Sequence, residues 1–203
     1  MVSWDREPGQ CLRDNDLVMR RLARGLLFLG VLLCACSTSV GEAGHSVYTS
    51  IRQGDCKAPT DALAKTYAAR GLTVEECQGA AEYRVFLVSS DANSWLDVRW
   101  DHTVLSLEED IVYRNKFGLF PNVGGSDRLE WRFDDSAHRV ALIVRVVAQS
   151  PQLTDAHGGS NLSRLFVVRL QPSGGCLLGV VETNEAARAL ADKRVKCPVN
   201  AAE

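Results

Sequence analysis

The stretch DRLEWRFDDSAHRVALIVRVV runs from Asp127 to Val147. Its first part alternates. Leu129, Trp131 and Phe133 are apolar, and Arg128, Glu130 and Arg132 stand between them. Successive strand residues point to opposite faces, so this spacing predicts a strand with one buried and one wet face. The polar DDSAH that follows predicts a turn. RVALIVRVV, from Arg139 to Val147, is rich in branched residues and predicts a more fully buried strand. Strands joined by so short a turn pair antiparallel.

Outward from this hairpin the same signal recurs. VYTSI (Val47 to Ile51) is a candidate first strand. Glu82 to Ser89, Ser94 to Trp100 and His102 to Glu109 are three runs of branched and aromatic residues. SRLFVVRL (Ser163 to Leu170) and CLLGVVET (Cys176 to Thr183) complete the set. PNVGGSD, SPQLTDAHGGSN and QPSGG punctuate the runs as loops. Helical spacing is found twice. Leu63, Ala64, Tyr67 and Ala68 mark a short helix over 60–69, with Gly71 at its end. EAARALADKR, from Glu185 to Arg194, marks a second, capped by Thr183 or Asn184. The expected fold is α+β: mainly antiparallel β-sheet with short helices near the start and end of a domain spanning 47–203.

Upstream lies RRLARGLLFLGVLLCAC, from Arg20 to Cys36. A membrane-crossing helix needs roughly 20 apolar residues. The run from Gly25 to Cys36 is little more than half that. A basic patch, a short apolar run and a small-residue exit form a secretory signal peptide. Leu33-Cys34-Ala35-Cys36 resembles the lipobox of bacterial lipoproteins. That resemblance implies that Cys36 is lipidated and becomes the mature N-terminus, and that Cys34 leaves with the leader. An ordinary signal peptide cut nearby, after Ala43 for example, is the alternative. The first 18 residues mix acids with arginines, unlike a signal-peptide start, and Met19 directly precedes Arg20. Translation is therefore expected to begin at Met19, the alternative being a long but functional leading region from Met1. The expected organisation is an extension over 1–18, a signal peptide over 19–35, a flexible tether over 36–46 and one domain after it.

The mature part, about 168 residues, suffices for one hydrophobic core. A net charge of −2 on the full chain offers no electrostatic footprint for nucleic acid. Beyond Cys36 stand Cys56, Cys77, Cys176 and Cys197. An even number in an exported chain reads as two disulfides. None forms a C-x-x-C and no histidine is close to them in sequence, which argues against zinc. Geometry favours sequential pairing. The strand from Cys176 travels roughly 23 Å one way, and the following helix returns about 15 Å, which brings Cys197 back beside Cys176. Cys56–Cys77 closes a loop of similar size around the first helix.

The order LEWR, ALIVR, LFVVRL, Cys176, strand and Ala-rich helix resembles small secreted proteobacterial proteins of unassigned function, which also carry an upstream cysteine pair before a strand like YRVFLV. The likeness covers roughly 48–195 and implies an exported α+β domain, with no activity attached.

No catalytic constellation is expected. VGGSD and HGGSN lack the G-x-S-x-G of a nucleophile elbow. His45, His102, His138 and His157 are scattered, so no metal site or cofactor is expected. Asp101 and His102 are adjacent, which in a strand sends them to opposite faces. Glu108, Glu109, Asp110, Asp134 and Asp135 read as solvated strand ends. Trp95, Trp100 and Trp131 form either core or a sugar-stacking face. Arg132 and Arg145, on neighbouring strands, read as a solvated or salt-bridged face, with a basic pair on the wet side as the alternative. Asn115 to Gly125 places Phe117, Phe120 and Val123 in a Gly/Pro-rich loop, as core cover or as an exposed contact patch.

The expected function is therefore contact. The chain reads as a non-enzymatic lipoprotein held in the outer membrane by its N-terminal lipid. It would face the periplasm and act on a protein partner as an assembly factor, inhibitor or immunity-type protein. Ser37 after Cys36, rather than Asp, resembles the signal for outer-membrane sorting. The alternatives are a small-ligand or glycan binder, a hydrolase with an unrecognised site, and a secreted or periplasmic soluble form. Cys36→Ser is expected to release the protein from membranes, whereas Cys34→Ser leaves it attached. Normal acyl-label incorporation into the Cys36→Ser variant would refute the lipobox reading.

Overall fold

The computed structural model describes residues 44–59, 62–114, 117–134, 139–151 and 160–198. The leader, Cys36 and most of the tether lie outside the described residues. So do 135–138 of the turn read from DDSAH, and His157. The described chain runs β1 (His45–Ser50), α1 (Ala62–Ala69), β2 (Thr73–Ala80), β3 (Tyr83–Ser89), β4 (Ser94–Trp100), β5 (Thr103–Ser106), a π-helical turn (Glu109–Arg114), β6 (Leu119–Val123), β7 (Arg128–Asp134), β8 (Arg139–Gln149), β9 (Asn161–Gln171), β10 (Gly174–Val181) and α2 (Asn184–Ala191).

Two antiparallel sheets result. One has the order β1-β7-β8-β9-β10, with β6 also pairing β8. The other is the meander β2-β3-β4-β5. The fold is α+β and mainly antiparallel, as the hydrophobic periodicity predicts.

The sheets face each other. Leu129 and Trp131 of β7, Leu142 and Val144 of β8, and Phe166 and Val168 of β9 are fully buried against Val85, Leu96 and Val98 of the meander. Tyr83 and Trp131 bring their rings to 5.8 Å across the interface. Each such side chain stabilises the fold by roughly 1.5–3 kcal/mol when fully buried. The Trp131 Nε1–H donates to Thr49 Oγ1 at 2.8 Å, which removes the cost of burying the indole donor.

The far side of the larger sheet holds α2. Ala141, Ile143, Leu165 and Val167 pack there against Ala187 and Ala191. The expected wet face of β7 is therefore not wet. Glu130 is only 8% exposed. Arg188 of α2 donates to it from Nε at 2.7 Å and from Nη2 at 3.2 Å. Charged residues on that face predict solvent, but here they meet the charged side of a helix. The Thr183 hydroxyl accepts from the Ala186 N–H, as N-caps do. At the other end Arg169 donates to the Ala191 and Lys193 carbonyls at 2.6 and 2.8 Å, satisfying acceptors that a helix end leaves unpaired.

Two elements were not expected. TVEECQGA carries charge and a cysteine without clear alternation, yet it forms β2 against β3. DIVYR belongs to the π-helical turn, which shortens the expected strand over 102–109 to β5.

Both disulfides pair as the loop geometry favours, Cys56–Cys77 and Cys176–Cys197, each across 21 residues. Replacing Cys176 and Cys197 together by Ala should lower unfolding free energy by about 3 kcal/mol for a loop of this length. Urea unfolding of the oxidised double variant against wild type checks this.

Candidate functional site

The chain from Gly118 to Gly125 joins the two sheets at one end. Glycine is required at both ends of the segment. A Cβ at Gly118 would lie 2.6 Å from the Gln149 carbonyl oxygen and 2.7 Å from the Ala148 Cβ. Gly125 has φ +76 and would press Val147 at 2.8 Å. Between them β6 pairs β8 through Leu119↔Gln149, Asn122↔Val147 and Val123↔Val146, with an irregularity between Leu119 and Asn122. Pro121 sits within it, where a missing N–H does not break a ladder. On the other side β6 bonds to the β3–β4 hairpin. The Asn122 amide donates to the Ala92 carbonyl at 3.1 Å, and the Val123 N–H to Ser94 Oγ at 2.9 Å.

These ties divide the expected patch. Phe117 packs on the core, its ring 6.1 Å from that of Phe166. Val123 also packs against the core. Phe120 turns outward and is 51% exposed, as is Leu119 beside it. Phe120 has φ +52, a left-handed conformation uncommon for a bulky residue and costing about 1–3 kcal/mol. Its carbonyl accepts from the Asn122 amide at 2.8 Å. Tyr113, 57% exposed, is another large apolar side chain on the described surface.

Phe120 borders an open cleft of about 450 Å3, lined also by Ala92, Asn122, Val147, Ala148, Gln149 and Asn161. Its described lining joins apolar surface to three carboxamides. A carboxamide donates and accepts hydrogen bonds but does not transfer protons near neutral pH. The chemistry on offer is recognition of hydrogen-bonding, uncharged groups.

The other candidates are dispersed or already partnered. Trp95, Trp100 and Trp131 are buried, so none presents a ring face to a sugar. Asp101 and His102 do not point apart as strand neighbours would. They form the tight β4–β5 turn, where Asp101 has φ +47, and approach to 3.5 Å on a fully solvated surface. Glu108 receives Arg70, and Arg114 pairs with Glu109 and Asp110. Arg132 and Arg145 are not a pair. Arg132 reaches Asp192 at the end of α2, and Arg145 reaches Asn184 at its start. His45 stacks on Phe133. Among the described residues no three His, Cys, Asp or Glu side chains gather as metal ligands, and no helix is long and apolar enough to cross a membrane.

A buried polar pair was not legible in advance. Asp97 lies on the outer face of the meander beneath α1, and the Tyr67 hydroxyl donates to it. Burial raises the Asp97 carboxyl above the ordinary range, more than Tyr67, Ser106 and Trp95 lower it. The only sequence signal is an aspartate inside the otherwise strand-like SWLDVRW.

No known protein family, no curated protein and no solved structure matches the chain.

The raised Asp97 carboxyl carries a pH signature. The folded state holds this proton more tightly than the unfolded chain, whose carboxyl titrates near pH 4. Stability from this group is fully present below that value and is lost as pH rises toward the higher folded value. Asp97→Asn keeps an acceptor for Tyr67 without the buried charge. It should match wild type near pH 4 and become more stable than wild type by pH 7–8. Thermal melts across that range check the sign.

Proposed function

We propose that the chain is a lipid-anchored envelope protein that works by binding another protein, without catalysis. The observation that carries the contact reading is the outward Leu119–Phe120 pair, held by a segment tied to both sheets. Exposed apolar side chains on a stiff support lose little conformational freedom on binding, and aromatic anchors of this kind dominate interface energies. The carboxamides of Asn122, Gln149 and Asn161 beside them suit the N–H and C=O groups of a polypeptide.

The anchoring part of the proposal rests on Leu33-Cys34-Ala35-Cys36 and on Ser37, which support attachment to the outer membrane on its periplasmic side. The two disulfides agree with an oxidising compartment.

A photo-crosslinking residue at Tyr113, irradiated in intact cells, should give one discrete protein adduct. Adding Leu119→Ser and Phe120→Ser should reduce the adduct at least tenfold while lowering stability by less than about 1 kcal/mol, because both side chains are exposed. Phe117→Ala is the contrast: loss of its core packing should cost about 2–4 kcal/mol. No adduct from the parent, or an adduct indifferent to the double substitution, would refute contact through this surface.

A further inference from the structure

Helix α1 lies on the outer face of the meander, with Tyr67 bonded to Asp97. On that face Asp97 stands opposite Phe86, Trp95 opposite Val88, and Val88 opposite Val74. All five of these side chains are buried. We propose that α1 is a pH-gated cover, closed over this face while Asp97 is protonated and lifted from it as Asp97 ionises.

The hold of α1 is the first argument. Tyr67 is its one buried side chain, and Leu63 is only partly buried. Arg70 just beyond the helix reaches Glu108 at 3.0 Å, but its side chain is half exposed, and exposed ion pairs hold little. Both ends of the segment are pinned elsewhere. The Cys56–Cys77 disulfide and the Lys57–Glu76 bridge fix its entry, and β2 fixes its exit from Thr73. Helix α1 can therefore leave the face as a local opening, without breaking either sheet.

The carboxyl beneath it is the second argument. The Tyr67 hydroxyl donates to Asp97 Oδ2. Asp97 Oδ1 and Trp95 Nε1 are both buried, and neither makes a hydrogen bond among the described residues. Tyr67, Ser106 and Trp95 favour the carboxylate, and burial outweighs them. The charges around it do little to help. Arg70 feels the charge of Asp97 but is bonded twice to Glu108, whose own charge opposes ionisation. Arg99 follows on the same face of β4 and acts on the Tyr67 hydroxyl. Arg84, opposite Arg99 on β3, is held by Glu76 of β2. Burial, then the bond to Asp97, raise the Tyr67 hydroxyl, so it stays a donor while Asp97 titrates. A buried carboxylate with an unmet oxygen is costly, and lifting α1 admits water to it.

The sign follows from linkage. The proton is held more tightly with α1 closed than with the carboxyl hydrated. Ionisation therefore favours the open form. The open population should grow by up to about tenfold per pH unit between the ordinary carboxyl range and the higher closed-state value. The device does not rest on the contact reading.

Amide hydrogen exchange of the oxidised full chain tests it. After correction for intrinsic rates, amides from Thr66 to Leu72 should be at least about tenfold less protected at pH 7 than those of β8 and β9, which marks an opening separate from global unfolding. Their protection should fall at least about tenfold from pH 5 to pH 7. Asp97→Asn cannot ionise and should keep the pH 5 protection at pH 7. Protection of α1 equal to that of β8 and β9, protection indifferent to pH, or a fall undiminished in Asp97→Asn would each overturn the proposal.

Discussion

The pairing of β8 with β9 is the interaction on which the rest of the molecule depends. The two strands keep one continuous antiparallel register from Val140↔Leu170 to Gln149↔Asn161. Both faces of this ladder are covered. Leu142, Val144, Phe166 and Val168 build the core shared with the meander, and Ala141, Ile143, Leu165 and Val167 seat α2. A one-residue slip would exchange these two sets. The small side of Ala141 would then face the meander, and the larger Leu142 would meet the helix where Ala187 now fits closely. Register is therefore specified twice over, once by each layer.

The charged layer between the larger sheet and α2 follows from that constraint. An aliphatic stripe centred on Ala187 and Ala191 is narrow, so the margins of the helix are held by polar groups. Glu130 receives Arg188 and Ser46, and Arg188 also reaches the Tyr48 hydroxyl at 3.1 Å. Burial alone would raise the Glu130 carboxyl. The bonds from Arg188 and Ser46, with the charges of Arg188 and Arg132, hold it below the ordinary range instead. Removing one member of such a group leaves the other desolvated and unpaired, which costs more than the intact pair contributes. The layer thus fixes where α2 lies more than it adds net stability.

The same layer marks the limit of what periodicity reveals. The strands with clean apolar runs were legible: SWLDVRW, RVALIVRVV and LFVVRL rest on side chains that bury themselves wherever they are placed. So were the two helices and the disulfide pairing, because chain length alone returns Cys197 to Cys176. Glu130 and Arg132 were misleading for a physical reason. A charged face reads as solvated unless the opposing helix carries complementary charge, and that pairing spans 58 residues from Glu130 to Arg188. β2 was hidden because Glu76 and Cys77 are held there by tertiary ties: the Arg84 bond at 2.7 Å and the disulfide to Cys56. The three tryptophans could be assigned to either core or surface from spacing; the second sheet decides for core at Trp100 and Trp131, whereas Trp95 is buried on the outer face of the meander beside Asp97.

The candidate site was half legible for a related reason. A Gly/Pro-rich run with Phe117, Phe120 and Val123 shows that apolar side chains sit in a connecting segment, but not which of them turn inward. That choice is made by backbone geometry. Pairing Leu119 with Gln149 and then Asn122 with Val147 leaves two residues of β6 opposite a single residue of β8, and Phe120 is one of the two. The extra residue takes a left-handed conformation and carries its ring away from the core. The neighbouring Asn122 and Val123 are tied to Ala92 and Ser94, which fixes the backbone beside it. Strain retained at an exposed aromatic residue, beside a cleft of neutral amides, is the feature on which the proposed contact surface rests.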